Sequence, residues 1–257
     1  MYRQDGTPIL ERIRPAFRDI VEKARLLDSN VSVLATPLTP EEAIGTPGRR
    51  DFPIVTGKER VLEALVHGAK GHAFTDSPRE FEGTLAAVLD LELTTNQDRA
   101  VYVATLNAVL AHIKMVDGTV HCKDEDPEKC AREIAAHVYE KYGAVNVGLI
   151  GLNPAIAERL VETFGAARVH VSDLYAGNIG QRRFGVEIWD GNARNEELIE
   201  ASRVIVFTGT TLLNGTFDRI WAAIEDRGRI PIVYGVTAAG VARLAGFERI
   251  CFYGRDG

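Results

Sequence analysis

From Val145 to the C-terminus the chain repeats one pattern: a short apolar run, a turn of small residues, then an amphipathic helix. The strand candidates are VNVGLIG, RVHVSD, RVIVFTG, IPIVYG and ERICFYG. The helices among them are NPAIAERLVETFG, NEELIEA, FDRIWAAIEDRG and TAAGVARLAG, and DPEKCAREIAAHVYEKYG leads into the first strand. Apolar runs of this length read as buried strands, and strands alternating with helices build parallel βαβ units with right-handed crossovers. The pattern predicts an α/β fold with a Rossmann-like parallel sheet. Punctuation supports it, with Asp126 as N-cap before Pro127, Gly143 as a stop, and Asn153 capping the next helix. The stretch GNIGQRRFGVEIWDG reads as a loop, and Cys251 falls within the last strand.

The first half has another texture. Ile9, Ile13, Phe17, Ile20, Val21 and Ala24 recur at helical spacing, so a helix is expected from Pro8 to Leu27, with Pro15 kinking it or delaying its start. VSVLATP is a strand candidate, and TPLTPEEAIGTPGRRDFP is either an irregular loop or a pair of short strands. GKERVLEALVHG reads as a short helix, KGHAFTD as a strand, and SPREFEGTLAAVLDL as a helix opened by Ser77 and Pro78. NQDRAVYVATLNAVLAHIKMVDG predicts a long helix, apolar on nearly all sides and central. The change of texture between Thr119 and Asp126 divides the chain into a smaller α+β front domain, 1–120, and a Rossmann-like α/β domain, 121–257.

A net charge of -6 with scattered basic residues argues against nucleic acid as a partner. No apolar run reaches the length that spans a bilayer, and the N-terminus lacks the apolar core of a signal peptide. Three cysteines, an odd count, suggest no disulfide framework and point to a reducing cytoplasm. A homo-oligomer is compatible with all of this.

The stretch RVIVFTGTTLLNGTFD carries the strongest ligand signal. Thr208, Gly209, Thr210, Thr211, Asn214, Gly215 and Thr216 follow an interior strand, where open α/β sheets place ligands. Glycine admits close approach to the backbone, while threonine and asparagine offer neutral hydrogen bonds. Gly151, Asn153 and Pro154 form the turn after the first parallel strand; they lack the full dinucleotide fingerprint but leave a helix N-terminus able to receive an anion. Asp173 ends the next strand about twenty residues on, the spacing of an acid that bonds a ribose hydroxyl. Gly235 and Thr237 follow the fourth strand. Arg182 and Arg183 either clamp an anion or sit in a solvated loop.

His121 and Cys122, in the linking segment, are the metal-ligand candidates, with Cys130 on an apolar helical stripe where a thiol is filler. Asn107, in a helix apolar all round, must find partners; it either satisfies a loop backbone or lines the site. No nucleophile elbow, Walker loop or obvious general base is present, so the residues name no reaction.

The run TGTTLLNGT, with ATLNA upstream and VGLIGLNPA between them, resembles a family of unknown function labelled for heavy-metal chelation. The resemblance covers residues 96 to 254 well and 31 to 75 poorly, and Gly235-Val236-Thr237 stands where the resemblance leads one to expect Gly-Pro-Ser or similar. It implies a Rossmann-like C-terminal domain behind a smaller front domain similar to the enolase N-terminal fold, with the site between them. Residues and resemblance together lead to the expectation of a small ligand or metal complex in an interdomain cleft. Its walls are Gly151, Asp173, Thr208 to Thr216 and Gly235; Asn107, His121 and Cys122 form its lid, the last two meeting a transition metal ion. Two alternatives stay open. One is an enzyme using a nucleotide or S-adenosylmethionine with Asp173 on the ribose, and the other is a non-catalytic partner in metallocofactor assembly.

Overall fold

The computed structural model describes residues 6–33, 38–56 and 59–256. The front half holds α1 (Ile9–Lys23), β1 (Asn30–Val33), α2 (Pro40–Ile44), β2 (Arg60–Val66), β3 (Ala69–Thr75), β4 (Phe81–Thr84), α3 (Leu85–Leu89) and α4 (Asn96–His112). Its four strands form an antiparallel sheet in the order β3-β2-β1-β4. The second half holds α5 (Asp126–Tyr142), β5 (Val147–Ile150), α6 (Pro154–Phe164), β6 (Val169–Asp173), β7 (Arg182–Arg183), β8 (Val186–Asp190) and α7 (Gly191–Ala201). It continues with β9 (Val204–Thr208), α8 (Phe217–Asp226), β10 (Ile230–Tyr234), α9 (Ala239–Ala245) and β11 (Arg249–Ile250).

The second sheet runs β11-β10-β9-β5-β6-β8-β7, parallel throughout except for the short β7 beside β8. Numbered among themselves, its parallel strands lie in the order 3-2-1-4-5-6 of dinucleotide-binding sheets. The order reverses between β5 and β9. Connections leaving these two strands therefore diverge to opposite sides and open a crevice at their C-terminal ends, the place where such sheets bind ligands. The α/β fold with a smaller α+β part in front of it is as the sequence pattern predicts.

Helix α4 ties the halves together. Every residue from Ala100 to Leu110 is buried, on β3 and β2 on one side and α9 on the other. Gly71 makes the close approach possible, because a side chain there would run into the α4 backbone at Ala104 and Ala108. One hydrophobic core joins α1, the antiparallel sheet, α4 and one face of the parallel sheet, including Phe17, Tyr102, Ile205 and Phe207. A second core lies under α5 and α6 and takes in Ala43, Ile44, Phe52 and Ile54 from the front half.

Several local expectations fail, most of them for a reason that the tertiary structure supplies. The segment read as a short helix, GKERVLEALVHG, contains strand β2. Its glutamates and leucines favour a helix, but full antiparallel pairing with β3 overrides propensity. His67 and Gly68, at φ 49° and 84°, form the tight turn between the strands, a conformation suited to hairpins. In SPREFEGTLAAVLDL the helix begins only at Leu85, since Phe81–Thr84 pair with β1 and Thr84 then caps α3. The stretch read as a loop, GNIGQRRFGVEIWDG, holds β7 and β8, the latter pairing in parallel with β6. The last strand is only Arg249–Ile250, so Cys251 lies beyond it.

The 38–56 segment contains the short α2, opened by a reciprocal Thr39–Glu42 cap. The end of the VSVLATP run falls at 34–37, outside the described residues. Asp126 is the first residue of α5 rather than its cap, and its carboxylate accepts from Arg255 and Lys129 instead. Pro15 lies inside α1, which begins at Ile9 all the same. Among the described residues no helix is long and apolar enough to cross a membrane.

Candidate functional site

A cavity of about 420 Å³ opens where the strand order reverses. Its floor is the threonine-rich turn after β9 together with the turn after β5. Thr208, Thr210, Thr211, Asn214 and Thr216 line it, as do Gly151, Asn153 and Asp173. Gly235 and Thr237 come from the turn after β10, and His121 and Cys122 from the link before α5. Phe52, Ile54, Glu59, Phe74 and Asp76 of the front half complete the wall. The topology thus gathers twelve of the fifteen candidate residues around one space.

The other three lie elsewhere. Asn107 is fully buried, and its amide nitrogen donates to the carbonyls of His72, Val236 and Thr237 at 3.0–3.2 Å. Its Oδ1 accepts from Gly240 N at 2.8 Å, so the side chain holds two loops to α4 and does not line the cavity. Gly209 lies against Ala238, where a Cβ would come within 2.9 Å of the backbone nitrogen. Gly215, at φ 76°, turns the chain beside the Arg99 guanidinium.

Within the floor the hydroxyls are ordered by short local bonds. Thr208 Oγ1 accepts from Thr210 N and Oγ1 at 3.2 Å, Thr211 Oγ1 donates to Thr208 O at 2.7 Å, and Thr216 Oγ1 donates to Asn214 Oδ1 at 2.7 Å. Thr237 Oγ1 accepts from Phe74 N at 3.1 Å and so stitches β3 to the turn after β10. The roof is fastened by charge. Arg49 pairs with Glu128, Glu158 and Asp51, and Arg183 pairs with Asp51, holding the Arg49–Ile54 segment on α5, α6 and β7. Arg182 donates to Gly185 O; neither Arg182 nor Arg183 lines the cavity.

The helix terminus expected to receive an anion is already satisfied. Asn153 Oδ1 accepts from Ala155 N and Ile156 N at 3.1 and 3.2 Å. Leu152 N donates to Asp173 Oδ2 at 3.0 Å, and Asp173 also accepts from Tyr175 N and Asn178 Nδ2. A carboxylate offers about four lone-pair sites, so Asp173 retains capacity for one more donor.

His121 and Cys122 are adjacent but poorly prepared for a bare metal ion. Burial lowers the imidazole to about 4, and its Nδ1 donates to Cys122 O at 2.6 Å, leaving only Nε2 as a possible ligand. Burial pushes the Cys122 thiol up, and Cys130 up to about 12. Both are therefore protonated at neutral pH, whereas metal binding requires the thiolate. Cys130 and Cys251 also line the cavity, but among the described residues no three His, Cys, Asp or Glu side chains form a group able to hold a metal ion.

Several lining residues were not legible as site residues, Glu59, Asp76 and Asn195 among them. Glu59 lies in the segment read as a helix, and Asp76 and Asn195 lie in no recognisable motif. Burial, with the charges of Asp173 and Asp76 adding to it, pushes the Glu59 carboxyl up to about 7. A carboxyl raised in the folded state binds a proton that the unfolded chain has already released. Stability should therefore fall as pH rises from about 4.5 to about 7, the interval over which the native state holds the extra proton. Glu59→Gln is expected to flatten this part of the profile in denaturant titrations at pH 5 and pH 8. An unchanged slope would show that Glu59 is not the titrating group.

The cavity, its polar floor and its place in the sheet are features of the chain's own geometry. Residues 134–248 match the family model DUF364, described as "Putative heavy-metal chelation". Two solved structures titled as DUF364 proteins of unknown function share the fold. The one from Pyrococcus horikoshii is 12% identical, with a TM-score of 0.53 over 90% of this chain and 80% of that one. The one from Desulfitobacterium hafniense is 10% identical, with a TM-score of 0.50 over 72% of each chain. At such identities the likeness is one of architecture. No curated protein matches the chain. The DUF364 match ends before Cys251 and begins after His121, Cys122 and Cys130, so it does not include the thiols or the imidazole at the cavity.

Proposed function

We propose that the protein binds a small ligand, or a metal already held in a complex, in the cavity between the front half and the strand-end turns of the parallel sheet. One observation carries this reading: a roofed space at the reversal of strand order, lined by polar groups from both halves. Its volume is in the range of small-molecule sites. The walls from Phe52, Ile54, Phe74 and Ile156 supply apolar contact, and the threonine floor and asparagine amides supply orientation. The heavy-metal description of the family is accommodated by a ligated metal, since His121 and Cys122 alone do not make a chelating set for a bare ion. The front half, 1–120, serves as the roof-bearing domain and 121–257 as the ligand platform.

The charge of the lining shapes the expected ligands. Glu59, Asp76 and Asp173 face the space, and no lysine or arginine does so among the described residues. Nucleotides bound through their phosphates are disfavoured by that field and by the capped α6 terminus. In a fragment screen read by ligand-observed NMR, cations and neutral amides should dominate the hits, and phosphates and carboxylates should be scarce. Thr210→Trp, which places an indole in the floor, should abolish those hits while the far-ultraviolet circular dichroism stays unchanged. Hits that survive in Thr210→Trp would mean that the cavity is not the site.

A further inference from the structure

The charges and unpaired groups around the cavity narrow the ligand class, on the reading that the cavity binds a small molecule. Glu59 is central. Its carboxyl has no hydrogen-bond or ion-pair partner among the described residues, and the titratable side chains acting on it are all acidic or phenolic: Asp173 at the end of β6, Asp76 beyond β3, and Tyr234 of β10. On its own element, Arg60 donates to the Glu59 carbonyl rather than to the carboxyl. An uncompensated carboxyl in a roofed cavity is costly unless a cation joins it or a proton neutralises it.

A second group points the same way without relying on charge. Asn195 is only 7% exposed, yet it lines the cavity. Its Oδ1 accepts from Ser172 Oγ at 2.6 Å, while its amide nitrogen has no acceptor among the described residues. That amide nitrogen is open to the cavity and free to donate to a ligand acceptor. Gly191 also lines the cavity, and a Cβ there would lie 3.3 Å from the main-chain oxygen of Asp173 and 3.4 Å from Asn195 Nδ2. Asp173 and Asn195 both line the cavity, Asp173 at the end of the strand where doubly-wound sheets hold a ribose. What is missing is a phosphate subsite, because the first-turn donors of α6 are taken by Asn153 and Asp173.

We propose that the cavity binds an adenosyl sulfonium, with its ribose hydroxyls on Asp173, its base on the Asn195 amide, and its positively charged sulfur toward Glu59. Such a ligand has the cation that the acids ask for, the donor and acceptor that Asp173 and Asn195 lack, and no phosphate.

The test is calorimetric titration at pH 8 with S-adenosylmethionine, with S-adenosylhomocysteine, in which a neutral thioether replaces the sulfonium, and with ATP. S-adenosylmethionine should bind at least tenfold more tightly than the thioether, the least that a charge pair outside bulk water is expected to contribute, and ATP should not compete. Glu59→Gln should bring the ratio close to one while leaving thioether binding in place. At pH 6 the wild-type preference should shrink as Glu59 takes up its proton. Equal affinities in the wild type, a preference retained in Glu59→Gln, or no binding of S-adenosylmethionine would each overturn the assignment. Loss of the adenosyl ligands with cavity-bound fragments still present would remove this ligand class alone; loss of both would remove the cavity as a site.

Discussion

Alanine at Gly71 is expected to destabilise the protein by about 3 kcal/mol or more, near the upper end for an overpacked core. The new methyl would collide with Ala104 O and Ala108 N and stand 2.9 Å from the carbonyl carbon of Asn107. These are backbone atoms of a helix whose residues from Ala100 to Leu110 are all buried, so no flexible side chain can yield. Relief requires moving α4 off β3, which also strains the α4 contact with α9. In a chain of this size the melting temperature should fall by about 6 °C or more. A melt within a degree of the wild type would show that α4 and the antiparallel sheet are not in close backbone contact.

Replacing Asn107 should cost about as much for the opposite reason, since it removes a group rather than adding one. Asn107→Ala removes the amide donor shared by the carbonyls of His72, Val236 and Thr237, of which Val236 O keeps the Ala239 N-H, and it removes the acceptor of the Gly240 N-H. Stranded buried polar groups cost about 1–3 kcal/mol each, though not additively, so a loss of about 3 kcal/mol is expected. Asn107→Asp separates hydrogen bonding from packing, because it keeps the shape but turns an oxygen toward the carbonyls of His72, Val236 and Thr237. Urea titrations should place the aspartate variant at least as low as the alanine variant. Near-wild-type stability of the aspartate variant would mean that Asn107 acts only by filling space.

The sequence carried the fold of the second half because its information is local. Each buried strand of the parallel sheet is a continuous apolar run, and each helix has its own stripe and punctuation, so the period of the pattern names the element. The polar turn after β9 was visible for the same reason: small and hydroxylated residues interrupt two strongly apolar elements. The front half was less legible. Strand β2 is built from helix-favouring residues, and only its pairing with β3 keeps it extended. Strand β8 sits in a stretch rich in glycine and charge, and gains its place from the edge of β6.

The site shows the same division. Spacing and residue type identified the turns at Gly151, Asp173, Thr208 and Gly235, because strand ends converge in any sheet of this order. Nothing along the chain could show that Asn107 bonds to neighbouring loops, that Asn153 and Asp173 close the expected anion site, or that Glu59 has no ion-pair partner among the described residues and lies near acids. Those outcomes depend on which groups meet across long stretches of chain, and on how much water remains between them once they have met. Periodicity encodes which face of an element is buried. Partnership and the strength of electrostatic interactions are set only when the elements pack.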